Sequence, residues 1–218
     1  PGVPVRFASW VGGDMDGNPS VGADTIRASL ERHMELALRR YRAELKTLHE
    51  HLSQSSSRVA ASPALGERLL TYRELLGEHA PEVPDRYSGM PYRQLLWLCD
   101  ERLALKARGE AGGYGPPAEF RADVQPLHDS LLAHRGAKAG VALLERLLRR
   151  IEVFGFHLAA LDVRQDAEVH RRVVGELLGI EGFSELDAAD RTQHISRALE
   201  GETLKLPSDA SDEARSTL

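Results

Sequence analysis

The residue types best suited to chemistry lie in a short glycine-rich segment, residues 9–19, with the sequence SWVGGDMDGNP. Its three glycines and proline predict a sharply turning loop that brings polar side chains together. Asp14, Asp16 and Asn18 match positions 1, 3 and 5 of a calcium-binding loop, but the glycine and glutamate required at positions 6 and 12 are proline and threonine. A nucleotide P-loop is excluded because no Gly-Lys-Ser/Thr follows the glycines. A structural turn and a polar site both remain open.

A second candidate is residues 161–166, with the sequence LDVRQD. If this segment is a strand, the two-residue alternation puts Asp162 and Arg164 on one face, opposite two apolar side chains. Arg164 then lies at the carboxyl end of a strand and just before a helix, where a guanidinium can donate two parallel hydrogen bonds to a phosphate or carboxylate. The alternative is a surface ion pair between Asp162 and Arg164, which contributes less than about 1 kcal/mol.

Length and composition exclude several classes of protein. The chain has 218 residues, which at about 150 residues per domain is one large domain or two small ones. It is 42% hydrophobic with no apolar run near the roughly 18 residues of a membrane span, and its net charge of −5 argues against a general nucleic-acid surface. We therefore expect neither a membrane nor a nucleic acid as partner. Cys99, the one cysteine, lies in an apolar run, which excludes a disulfide framework and favours a reducing, cytoplasmic compartment.

The elements that must position these residues are mostly helices. Apolar residues at steps of three and four predict a mainly α fold of long amphipathic helices, at about 24–52, 63–79, 91–108, 118–133, 137–154, 167–178 and 184–199. Asp166 is a candidate cap for the sixth helix. Pro126 predicts a bend or restart within the fourth helix, because proline lacks the N–H that the helix interior needs.

Two short segments break the helical period. Residues 156–164 predict a strand, and residues 5–19 predict a strand or loop. We expect less than about a tenth of the chain in strands. The tail, residues 201–218, is polar and is predicted to be extended or mobile. The first residue is Pro1 rather than Met and no signal-peptide pattern follows, so we expect an excised piece of a longer protein.

The two candidate segments together resemble one enzyme family. Residues 9–19 resemble the phosphoenolpyruvate carboxylase signature SWMGGDRDGNP. Residues 154–166, with His170 following, resemble the family's segment LD(I/V)RQ(E/D)SxxH and the residues before it. Residues 91–93, PYR, resemble an element that lies between those two in the family. Because the three motifs come in the right order, the resemblance covers essentially the whole chain.

The resemblance implies that residues 1–200 are a central helical slice of a larger, bacterial-type enzyme whose β-barrel strand ends carry the active site. That enzyme converts phosphoenolpyruvate and bicarbonate to oxaloacetate and phosphate, replenishing the tricarboxylic acid cycle, with magnesium or manganese. Carried over by position, Arg164 contacts the substrate phosphate and Trp10 walls an apolar pocket beside the substrate methylene. Asp14, Asp16 and Asn18 then support the active-site loop.

The resemblance also implies what lies outside the chain. The family's catalytic histidine, in a Thr-Ala-His-Pro motif, belongs upstream, and its Gly/Arg-rich loop and metal-binding carboxylates belong downstream. We therefore expect no catalytic residue and no bound metal here, an inactive chain on its own, and the remainder of a homotetrameric parent as its partner. Short strands cut from a barrel are expected to be poorly paired.

Three positions depart from the family pattern. Met15 stands where the family has arginine, Met90 where it has glutamate, and Ala167 where it has serine. Met15 removes a cation from the glycine-rich segment. Two alternatives therefore stay open beside the enzyme: a helical interaction or scaffold domain descended from it, and an anion-binding module in which Arg164 holds a phosphate without chemistry.

Overall fold

The computed structural model describes residues 5–18, 20–77, 80, 82–201 and 205–217. Pro19, the predicted helix end at residue 79, and residues 202–204 and 218 of the tail lie outside this set. The described chain is mainly helical, as predicted, with α1 (Ala23–His51), α2 (Pro63–Leu76), α3 (Pro91–Arg108), α4 (Pro117–Ala133), α5 (Ala142–Phe154), α6 (Ala167–Leu178), α7 (Ala188–Leu199) and α8 (Asp212–Thr217). None of the helices described here is both long and apolar enough to cross a membrane.

Local signals explain most helix ends. α6 begins where predicted because the Asp166 carboxylate accepts a hydrogen bond from the Glu168 N–H at 2.6 Å. α3 ends at Gly109, whose φ of 69° is the left-handed conformation that glycine adopts without strain. Of the bend or restart predicted at Pro126, the restart is wrong, because α4 runs through the proline, and the bend stays a prediction. Phe120 and Leu127, on either side of the proline, are both fully buried and hold the helix in the core.

The predicted fifth helix begins later than expected. Residues Ala137–Val141 form a π-helical turn in which Gly140 has a φ of 144°, so the regular helix starts at Ala142. The predicted seventh helix is also shorter, since Phe183–Glu185 form a separate 3₁₀ turn before α7. In both places the apolar spacing extends beyond the regular helix.

The chain divides into two compact units. The first contains residues 5–7 and Glu31–Ala159, and its core is built from most of α1 and from α2 to α5. The buried side chains that share this core include Tyr41, Leu45, Leu48, Tyr72, Tyr92, Leu95, Leu103, Phe120, Leu127, Leu144, Leu147 and Ile151. Cys99 is buried within it, as its apolar surroundings predict.

The second unit contains Ala8–Leu30 and Ala160–Leu218 and carries the sheet. Strand β1 (Ala8–Ser9) pairs in parallel with β2 (Ala160–Leu161). The low strand content is confirmed, but the expectation of poor pairing is wrong, because the two predicted segments pair with each other. The predicted strand at 156–164 is also too long: its first four residues form turns, and Leu158 has a φ of 60°.

The tail is the other correction in this unit. Residues Asp212–Thr217 form α8 rather than extended chain. Ala210 and Ala214 are buried in a small apolar cluster with Val173 of α6. Ser211 donates its hydroxyl to the Glu176 carboxylate at 2.7 Å. Small residues that look like a polar tail in sequence therefore fit against α6.

Candidate functional site

A parallel backbone ladder joins the two segments singled out in the sequence. Beyond β2, the Asp162 N–H donates to the Ser9 carbonyl at 2.8 Å. The Arg164 N–H donates to the Gly13 carbonyl at 2.8 Å, and the Arg164 carbonyl accepts from the Met15 N–H at 2.8 Å. The glycine-rich segment therefore holds both the N–H and the carbonyl of Arg164.

Trp10 lies in a turn that interrupts this ladder. Between Ser9 and Gly13 the chain leaves the ladder and turns, and the Gly13 N–H closes the turn on the Trp10 carbonyl at 2.9 Å. Gly12 has a φ of 85°, which a side chain would strain, and a Cβ there would lie 1.9 Å from the Ser29 Oγ. A Cβ on Gly13 would lie 2.5 Å from the Asp162 carbonyl oxygen. Gly13 therefore allows the close approach of the two segments, and Gly12 allows the turn to pack against Ser29 of α1.

The Arg164 side chain lies beside Trp10 and Asp162. Its guanidinium carbon is 4.8 Å from the centre of the Trp10 ring, within the range of a cation–π contact. Its Nη2 donates to the Asp162 Oδ2 at 3.3 Å, which confirms that the two residues share a face. The side chains of Arg164 and Asp162 are 49% and 58% exposed, and Trp10 is 56% exposed. The predicted surface pair therefore exists, and it leaves the guanidinium open to solvent.

The three polar residues predicted to support the loop differ in what they contact. The Asn18 Oδ1 accepts from the Ser20 N–H at 3.1 Å, and the Asn18 N–H donates to the Met15 carbonyl at 3.2 Å, so Asn18 stabilises the turn. Asp14 is half-buried and forms an isolated parallel bridge with Arg164. Asp16 is exposed. The roles of Asp14 and Asp16 in the site stay predictions.

The residues of the described chain do not fit a divalent metal. Within that part of the chain, no three histidine, cysteine, aspartate or glutamate side chains lie together as ligands would. We therefore assign no ligand of magnesium or manganese to this chain and route no chemical step through the metal.

Sequence reasoning missed a second polar cluster, which is buried in the first unit around Asp123. Asp123 is fully buried and accepts hydrogen bonds from the hydroxyls of Tyr72 and Tyr114, the latter at 2.7 Å. Arg68 donates to Asp123 through Nε at 2.6 Å, and the Arg102 Nη1 lies 3.4 Å from it. Only one signal in the sequence could have revealed the cluster: Asp123 lies on the apolar face of α4.

Burial makes the two tyrosine hydroxyls of this cluster and the neighbouring Cys99 thiol hard to ionise. It raises the pKa of the Tyr72 and Tyr114 hydroxyls well above the usual range, with further increases from the neighbouring Cys99 and Asp123. It also raises the pKa of the Cys99 thiol, and the Asp123 carboxylate adds to the rise. A thiol that stays protonated is a poor nucleophile, so Cys99 serves packing rather than chemistry.

Together the fold and the site define a mainly helical chain with a solvent-open arginine at the end of a short parallel sheet. The family profile described as phosphoenolpyruvate carboxylase matches residues 1–218. The phosphoenolpyruvate carboxylase of Xanthomonas campestris pv. campestris (strain 8004) is 44% identical over 198 residues, covering 91% of this chain and 22% of the relative. That of Ralstonia nicotianae is 37% identical over 211 residues, covering 89% and 21%.

A third relative, the phosphoenolpyruvate carboxylase of Paraburkholderia xenovorans, is 34% identical over 226 residues and is matched over 93% of this chain and 22% of its own length. The chain therefore belongs to the phosphoenolpyruvate carboxylase family, which confirms the resemblance of its motifs. It spans about a fifth of the length of the curated relatives that it matches.

Proposed function

We propose that this chain is the central part of an enzyme that joins phosphoenolpyruvate to bicarbonate, giving oxaloacetate and phosphate. Arg164 binds the substrate phosphate and Trp10 lies beside the substrate methylene. The observation that carries the proposal is the open guanidinium of Arg164, fixed through its backbone at the end of β2 and next to the Trp10 ring. Family membership supports the reaction, since the matched relatives are named for it.

Each residue has a physical role in this proposal. The Arg164 guanidinium donates charge-assisted hydrogen bonds to the phosphate, which are about twice as strong as neutral ones. The indole of Trp10 presents an apolar face that keeps water from the methylene carbon, where the enolate forms. Met15 adds no charge to the loop. Within described residues 5–18 and 160–166, Arg6 and Arg164 are therefore the only cationic side chains.

The rest of the parent completes the site in this proposal. Acid–base groups and a water-excluding lid come from outside the described residues, because a fixed arginine and an indole supply neither. The parent is cytoplasmic and homotetrameric, with phosphoenolpyruvate and bicarbonate as substrates.

Substitution of Arg164 tests the proposal. In the full-length parent, Arg164→Ala is expected to raise the KM for phosphoenolpyruvate about ten- to a hundredfold, because one charged hydrogen bond contributes about 1.5–3 kcal/mol. Arg171→Ala is the matched control, since Arg171 is a similarly exposed arginine that pairs with Glu168 at 3.1 Å. The control is expected to change the KM by less than about twofold. An unchanged KM in Arg164→Ala would show that Arg164 only forms a surface ion pair with Asp162.

The purified chain alone is expected to make no oxaloacetate and to bind phosphoenolpyruvate no more tightly than about millimolar. One charged contact does not offset the freedom that the ligand loses on binding. A coupled assay for oxaloacetate and a calorimetric titration with the substrate test this. Turnover, or micromolar binding, by the chain alone would mean that the active site is misplaced.

A further inference from the structure

Asp162 lies two residues before Arg164, on the same face of the chain, and accepts the hydrogen bond of its Nη2 at 3.3 Å. We propose that Asp162 is a positioning residue: with the Trp10 ring, it holds the Arg164 guanidinium in the orientation that receives the phosphate. This proposal rests on the proposed function of Arg164, because Asp162 affects phosphate binding through Arg164.

The geometry leaves the guanidinium both held and available. A guanidinium has five N–H donors, and in the described residues the Arg164 side chain donates one of them, to Asp162. The Trp10 ring covers one face at 4.8 Å. Four donors therefore have no partner in the described part of the chain and can bind an anion, while the side chain already has two neighbours that restrict it.

Backbone hydrogen bonds fix the points at which the side chains of Asp162 and Arg164 leave the chain. Asp162 and Arg164 both donate their N–H groups to the glycine-rich segment, to the carbonyls of Ser9 and Gly13, each at 2.8 Å. The main freedom left to Arg164 is rotation of its long side chain, which loses much entropy when it is fixed. Contacts that order the side chain before the phosphate arrives reduce that loss on binding.

The negative charge of Asp162 weakens phosphate binding, whereas its hydrogen bond to Arg164 strengthens it. A carboxylate close to the anion site repels the phosphate, so removing the whole side chain mixes a loss of positioning with a loss of repulsion. Asparagine separates the two effects, because it removes the charge and keeps an oxygen that accepts from Arg164. The comparison of Asp162→Ala with Asp162→Asn therefore isolates the hydrogen bond.

The experiment is a double-mutant cycle in the full-length parent. The KM and kcat for phosphoenolpyruvate are measured for Asp162→Asn, Asp162→Ala, Arg164→Ala and the double variant with alanine at both positions. We expect Asp162→Ala to have a KM about two- to fivefold above that of Asp162→Asn, with kcat changed by less than about twofold, as suits an exposed pair. In the Arg164→Ala background, Asp162→Ala is expected to shift the KM by less than about twofold, because the residue through which it acts is gone.

Two results would overturn the inference. One is an equal KM for Asp162→Ala and Asp162→Asn. The other is an effect of Asp162→Ala that persists at full size without Arg164, which would show a general effect on the fold. An unchanged KM in Arg164→Ala is a different outcome: it would refute the proposed role of Arg164 and the positioning role with it.

Discussion

Two regions of the described chain place an arginine between an aspartate and an aromatic ring, one buried and one exposed. In the first unit, Arg102 pairs with Asp123 and its guanidinium carbon lies 4.0 Å from the Tyr114 ring centre. In the second unit, Arg164 pairs with Asp162 and lies 4.8 Å from the Trp10 ring centre. The Arg102 and Asp123 side chains are 4% and 0% exposed, whereas about half of the exposed pair's surface is open to water.

Because of this difference in burial, the first pair contributes to the stability of the fold, whereas the arginine of the second pair can bind a ligand. Removing one partner of a buried pair leaves an uncompensated charge in the core, at a cost of about 3–5 kcal/mol. An exposed pair contributes about 0–1 kcal/mol, because water solvates both charges. The hydrogen-bond donors of the buried arginine are also occupied, because Arg102 donates to the Gly112 carbonyl and pairs with both Glu119 and Asp123. Arg164 keeps donors that have no partner among the described residues, and an arginine must keep such donors to bind a ligand.

The largest expected effect comes from removing the centre of the buried cluster. Asp123→Ala is expected to lower the free energy of unfolding by about 3–5 kcal/mol, because it leaves Arg68 and Arg102 without their shared carboxylate. Urea unfolding of the chain measures this. Glu35→Ala, which breaks an exposed pair with Arg32, is the control and should change the free energy by less than about 0.5 kcal/mol. Similar losses in the two variants would contradict the comparison.

A smaller effect is expected where the two segments of the exposed site approach each other. Gly13→Ala places a Cβ 2.5 Å from the Asp162 carbonyl, and backbone atoms cannot move aside as a flexible side chain can. We expect the free energy of unfolding to fall by about 1–3 kcal/mol. Gly66→Ala is the control: the position is inside α2 with open space around it, so alanine should stabilise the chain by about 0.5–1 kcal/mol. A neutral Gly13→Ala would show that the ladder tolerates a wider spacing.

The smallest effect is a pH dependence that arises in the buried cluster. The folded Tyr72 keeps its proton above pH 10.0, the usual pKa of tyrosine, whereas the unfolded residue loses it. Its contribution to stability is therefore complete below that pH and is lost as the pH rises above it, by about 1.4 kcal/mol per pH unit. Tyr72→Phe should make the fall of unfolding free energy above about pH 10 shallower by that amount. Equal slopes in urea unfolding of the two proteins would show that Tyr72 ionises freely.

The helices could be predicted because they depend on local sequence. The start of α3 at Pro91, the cap of α6 at Asp166 and the end of α6 at Gly179 are each determined within a few residues. The buried face of α1, with Tyr41 and Leu48, follows from helical spacing. Both segments of the exposed site were also found, because their residue types are unusual for a helical chain.

Pairing across the chain could not be predicted in this way. Nothing in residues 9–19 alone indicates that Gly13 bonds to Arg164, about 150 positions later. The Asp123 cluster joins side chains from α2, α3, α4 and the loop that carries Tyr114, and all of them except Asp123 look ordinary in their own segments. The fold of α8 depends on contacts with α6 that its small, polar sequence does not suggest.

The most direct test of the account measures two properties of one variant, Arg164→Ala. Its free energy of unfolding should stay within about 0.5 kcal/mol of the unsubstituted protein, because the lost ion pair and cation–π contact are exposed. In the full-length parent, its dissociation constant for phosphoenolpyruvate, measured by calorimetry, should rise about ten- to a hundredfold. Unchanged binding together with a loss of more than about 1 kcal/mol of stability would contradict the account, because Arg164 would then stabilise the fold, as Arg102 does, instead of binding the substrate.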